Sequence, residues 1–170
     1  NPVVVAVALG IGNAVFLGGG WAITGRTRYQ TAGRALTLLA CLVMPLNLWF
    51  YHAQGLMTLE GHLWAAALVC TVLYAASAMV LRDPTFVYVL IGGITMTGLL
   101  MLNTMGRFWE IAAPATFLAV LGMICVHLER AFSENEGPFT RRRFGLAFFW
   151  SGHAALAAGR LGAQAWEGHW

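Results

Sequence analysis

The sequence predicts an all-α fold of one kind, a polytopic transmembrane helical bundle of about six membrane-spanning helices arranged as three hairpins. Three observations carry that expectation. Of 170 residues, 59% are hydrophobic and only 10% are charged, with a mean hydropathy of +0.69, a balance far too apolar for a water-soluble domain. Six apolar runs come close to or exceed the roughly 20 residues that a helix needs to cross a hydrocarbon core about 30 Å thick. Charged residues are confined to the junctions and to the ends of runs, where water or headgroups solvate them. Helix is the required conformation because unpaired backbone groups cannot face hydrocarbon.

The first run, Val3–Thr24, repeats small residues at Ala6, Gly10, Ala14, Gly18 and Ala22, a flat ridge that lets a second backbone approach. Its Gly18-Gly19-Gly20 stretch loosens the inner third. After a polar segment from Gly25 to Arg34, the second run, Ala35–Gln54, contains Pro45, whose missing N–H frees a carbonyl one turn back, and Asn47 close behind it. Gly55 to Gly61 separates it from the third run, Leu63–Leu81, which stops at the Arg82-Asp83-Pro84 turn. The fourth, Thr85–Met105, closes on Asn103 and Thr104 before a break from Gly106 to Glu110. The fifth, Ile111–Leu128, leads into the most charged loop, and the sixth, Phe144–Ala163, carries a second small-residue ridge at Ser151, Ala155 and Gly159. Arg160 stands close enough to the end of that run to snorkel to the surface.

Basic residues orient the bundle. Arg26, Arg28, Arg34, Arg82, Arg130 and Arg141 to Arg143 fall on one side and Arg107 and Arg160 on the other, so the larger set is cytoplasmic and both chain ends face out. Aromatic residues fit the same frame. Trp49, Tyr51, Trp64, Phe108, Trp109, Trp166 and Trp170 gather at outer ends, and Trp21, Phe86, Tyr88, Phe144 and Phe148 towards inner ends.

Candidates for chemistry are few. Cys41, Cys70 and Cys125 lie within apolar runs at spacings that match no metal, redox or haem motif, and read as small buried hydrophobes. His153 is the one titratable side chain near the middle of a run, but His52 and His127 sit at other depths, so no bis-histidine haem site forms. His62 and His169, with Glu60 and Glu167, belong to outer segments and lack a ligand motif, so no metal and no cofactor is expected. Pro45, Asn47, Asn103 and His153 form a candidate polar pocket among the second, fourth and sixth helices, the kind of kinked, amide-lined space found in transporters. The Arg141-Arg142-Arg143 triplet holds topology and touches anionic headgroups. Ser133 and Glu136 match a capping box in letters, but Gly137-Pro138 stops any helix from following. The scattered charge leaves no surface for nucleic acid.

The segments RTRYQTAGRALTLLACLVMPLNLWFYHAQGL and ERAFSENEGPFTRRRFGLAFFWSGHAALAAG resemble blocks of large polytopic bacterial membrane proteins without an assigned activity. The resemblance implies a bacterial inner-membrane location and one section of a longer, many-helix polypeptide, consistent with a start at Asn1 rather than Met. It carries no catalytic residues. Residues 1–170 are therefore expected to form a single non-enzymatic membrane domain, a scaffold, anchor or sensor whose partners are the bilayer and further helices of the same polypeptide or another subunit. The alternative is a permease-like unit that moves a small polar solute through the Pro45 pocket.

Overall fold

The computed structural model describes residues 1–59, 61–110, 112–132, 134 and 137–167, the last three of these as backbone only. Glu60, Ser133, Glu136, His169 and Trp170, with the side chains of Trp166 and Glu167, lie outside the described residues. So, with them, do the outer His/Glu pairs, the capping-box letters and part of the outer aromatic set. Among the described residues there are six α-helices: α1 Pro2–Arg26, α2 Gln30–Ala53, α3 Leu63–Leu81, α4 Thr85–Thr104, α5 Ala112–Leu128 and α6 Leu146–Glu167. A 3₁₀ turn, Glu129–Ala131, follows α5, and a π turn, Arg141–Gly145, leads into α6.

The helices track the apolar runs closely in the middle of the chain and overrun them at its ends. Gln30 to Arg34 join α2 and Arg26 joins α1, so the polar segment shrinks to three residues. Hydropathy marks where lipid begins, whereas a helix continues for as long as its backbone bonds are made. The starts and stops have local causes. Asn1 caps α1 by accepting the Val3 N–H at 3.0 Å, and Asp83 Oδ1 accepts the Thr85 N–H at 3.0 Å ahead of α4. At the far ends of α2 and α4, Gly55 and Gly106 take positive φ of 67° and 70°, closing both helices with the bond from the next residue back across the last turn, Leu56 N–H to Tyr51 O and Arg107 N–H to Leu102 O.

The first five helices, α5 with its extension to Ala131, are long and apolar enough to cross a membrane. α6 has the length, with 22 residues, but Ser151, His153 and Arg160 dilute its apolar run. Each helix packs most extensively on a sequence neighbour: α1 on α2, α3 on α4, α5 on α6. Smaller contacts of α2 with α3 and of α4 with α5 and α6 join the pairs.

Glycine sets how close two of these pairs come. A Cβ at Gly20 of α1 would lie 2.8 Å from the Gly33 carbonyl of α2, and one at Gly152 of α6 would lie 2.8 Å from the Gly122 carbonyl of α5. Backbone therefore meets backbone at both crossings. This differs in part from the ridges expected above. On α1, Ala14 and Gly18 face outward, Gly18 with nothing within 4 Å of an added Cβ, and Gly10 approaches only the Tyr51 hydroxyl. The buried face of α1 is Asn13, Leu17 and Gly20, one residue out of phase. On α6, Ala155 and Gly159 do face α5, where a Cβ at Gly159 would meet the Ala115 carbonyl at 3.0 Å, while Ser151 turns into the groove between α4 and α6.

Aromatic placement also divides. Trp49 and Trp109 are exposed, as interfacial rings require, but Phe86 and Phe144 are core residues, and Trp21 donates its Nε1–H to Ser77 Oγ at 3.2 Å. Those rings fill space between helices because the neighbouring small residues leave it open.

Candidate functional site

The proline of α2 is the natural centre of the site. Pro45 cannot bond the carbonyl of Cys41, one turn back, and a carbonyl left bare in an apolar interior costs roughly 1–3 kcal/mol. Tyr74 of α3 supplies the missing donor. Its hydroxyl bonds the Cys41 carbonyl at 3.0 Å, and the side chain is 3% exposed. Sequence reasoning located the freed carbonyl but not its partner, since nothing in the spacing of Pro45 and Tyr74 brings α2 to α3.

Beside this bond lies a crevice of about 350 Å³ between α2, α3 and α4. Pro45, Cys41, Cys70 and Tyr74 line it together with Tyr88, Gly92 and Gly93. Among the described residues no amide or charged side chain lines it. The two thiols are free, and Cys125, also free, is buried in a separate cluster with Val87, Leu121 and Phe144.

The other three pocket candidates lie elsewhere. Asn47 is buried, 7% exposed, but outside this crevice. Asn103 stands at the end of α4, where its Nδ2 donates to the Leu59 carbonyl at 3.3 Å and Thr104 Oγ1 donates to the same oxygen at 3.3 Å. Both side chains fasten the α2–α3 connection to α4. His153 is exposed on α6, and its Nδ1 lies 2.9 Å from the Phe149 carbonyl one turn back. A carbonyl only accepts, so Nδ1 carries the proton and Nε2 points away from that bond. His127 repeats the same arrangement with Met123, also at 2.9 Å. The structure thus brings none of Asn47, Asn103 and His153 into the cavity that Pro45 lines: Asn103 stands at a helix end, His153 on an outward face, and Asn47 is buried on α2 but outside the crevice.

Further polar pairs bind helix to helix. Thr71 and Thr97 hydroxyls meet at 3.0 Å between α3 and α4, and the Tyr51 hydroxyl donates to the Ala6 carbonyl at 3.2 Å between α2 and α1. Asn13 is 8% exposed and its Oδ1 has no hydrogen-bond partner among the described residues. At the polar end, Arg141 of the triplet is committed to acids. Its Nε donates to Glu129 at 2.8 Å and its Nη1 to Glu134 at 3.2 Å. The Glu129 hydrogen bond and charge push the Arg141 guanidinium above its ordinary value, and the pair ties the end of α5 to the start of α6. Arg142 and Arg143 are exposed. Arg34 Nη1 reaches Asp83 Oδ2 at 3.5 Å, joining the start of α2 to the α3–α4 turn. Among the described residues no three His, Cys, Asp or Glu side chains group as metal ligands.

No family model, curated protein or solved structure matches the chain.

Proposed function

We propose that the chain is a non-enzymatic scaffold domain of the bacterial inner membrane, in which all six helices cross the bilayer as three hairpins with both ends outside. α6 makes the sixth crossing beside α5, which shields its Gly152, Ala155 and Gly159 face from lipid. The observation that carries the scaffold reading is the bond from Tyr74 to the Cys41 carbonyl. A transport helix opened by proline would keep that carbonyl for solute or ion; here a neighbouring helix consumes it and turns a break into a joint. The hydroxyls of Thr37, Tyr51, Thr71, Ser77, Thr95 and Thr97 are likewise spent on other helices or on their own backbone. The permease alternative would need polar groups converging on the Pro45 crevice, whose walls are apolar apart from the two tyrosines and two thiols.

Native thiols provide the test. Treated in intact cells and in inverted vesicles with a charged, membrane-impermeant thiol reagent, Cys41 and Cys70 stay unmodified. In the same cells a thiol placed by Arg107→Cys reacts from outside, and one placed by Thr140→Cys reacts only in inverted vesicles. Labelling of Cys41 would expose a water path and favour transport; reaction of Thr140→Cys from outside would invert the topology.

A further inference from the structure

A second crevice, of about 310 Å³, opens at the inner end of the bundle between α3, α4 and the start of α6. Its walls are Ala75 and Ala78 of α3 and four phenylalanines, Phe132, Phe139, Phe144 and Phe148, completed by aliphatic residues, with no polar side chain among the described residues. The aromatic walls are braced against each other. Phe132 and Phe148 stack with centroids 5.6 Å apart, and Phe139 meets Phe144 edge-on at 4.8 Å. The open side is marked by Met79, which lines the crevice and is 67% exposed.

Exposed arginines adjoin the crevice walls in sequence. Arg82 follows one turn after Ala78, and Arg143 immediately precedes Phe144; both are exposed. Among the described residues, the nearby acids are engaged elsewhere, Glu129 and Glu134 by Arg141 and Asp83 by Arg34. An apolar slot whose walls adjoin exposed arginines in sequence, neither of them paired with an acid among the described residues, has the polarity of an anionic amphiphile.

We propose that this crevice binds one anionic phospholipid of the inner leaflet, with an acyl chain between the Phe walls and the phosphate between Arg82 and Arg143. The proposal rests on the membrane reading above, which places the rim at the inner headgroup level. The volume is at the small end of ligand pockets, sufficient for part of one chain rather than a whole lipid.

Purified full-length chain in mild detergent is titrated with phosphatidylglycerol and phosphatidylcholine bearing the same fluorescent tail. The native chain prefers phosphatidylglycerol, and Arg82→Gln/Arg143→Gln weakens that lipid roughly 30-fold, at the ~1 kcal/mol expected for each charge, while phosphatidylcholine binding is unchanged. Ala75→Phe, at a half-buried position, fills the slot and weakens both lipids, with the helical content and melting profile retained as the check on folding. Arg26→Gln/Arg28→Gln removes two charges of the same face away from the crevice and leaves the preference intact.

Equal affinity of the native chain for the two lipids overturns the proposal. So does an equal loss from both arginine pairs, which would mean general attraction to a positive surface. A dimer that Ala75→Phe makes monomeric would give the slot to a second copy instead. These failures differ from failure of the membrane reading, in which the chain would dissolve without detergent and bind neither lipid.

Discussion

Gly152→Val drives α6 away from α5. The Cβ of any residue at this position would lie 2.8 Å from the Gly122 carbonyl oxygen and 2.8 Å from Val126 Cγ2, well inside van der Waals contact. A flexible side chain could turn aside, but a carbonyl within a helix cannot, so the backbones must separate. Inserting carbon into packed interiors costs typically 1–3 kcal/mol, and a β-branched residue at a backbone contact belongs at the upper end. The loss falls on the pair with the most extensive contact in the bundle, and α6 has only smaller contacts with α4 to fall back on. Gly162→Val supplies the contrast, because among the described residues nothing lies within 4 Å of a Cβ there. Denaturant titration in detergent, followed by circular dichroism, should show a lowered midpoint for Gly152→Val and a change within about 0.5 kcal/mol for Gly162→Val. Equal effects at both positions would mean that the helices do not cross at Gly122 and Gly152.

Tyr74→Phe is the second large effect, and it carries its own internal control. The substitution preserves the ring within the core formed by Cys41, Met44 and Phe86 and deletes only the hydroxyl. The Cys41 carbonyl is then left without a donor, at roughly 1–3 kcal/mol by the measure of buried acceptors and nearer 0.6–2 by the measure of hydrogen bonds between membrane helices. Pro45→Ala restores an N–H at the one position from which α2 can bond that carbonyl itself. The double substitution therefore loses less stability than Tyr74→Phe loses in the native background. Strict additivity of the two single effects would show that the tyrosine and the proline are not partners.

Both cases mark how far the sequence could be read. The positions of the helices were legible because charge is excluded from lipid whatever the tertiary structure, and Leu63–Leu81 and the start of α4 at Thr85 were located to the residue. The extra turn of α2 was not, since Gln30 to Arg34 form helix without being apolar. Which face of α1 packs was illegible for a deeper reason. A helix in lipid is apolar all round, so Gly10, Ala14 and Gly18 look as good as Asn13, Leu17 and Gly20, and only the position of Gly33 on α2 decides between them. At the site, Pro45 announced a freed carbonyl because the chemistry is local. Tyr74 gave no such sign, its role resting on a contact across 33 residues of sequence. Asn103 and His153 were drawn to the pocket by residue type alone. Asn103 is bound to the Leu59 carbonyl at a helix end, and His153 bonds its own helix on an exposed face.

Insertion in the bilayer is the premise on which the helix count, the orientation and the lipid crevice all depend, and alkaline carbonate extraction tests it most directly. Membranes from cells expressing the full chain are washed at high pH, sedimented, and then treated with detergent. The protein is expected to stay in the pellet through the wash and to be released only by detergent. Recovery in the carbonate supernatant as a monodisperse species, stable without detergent, would contradict it.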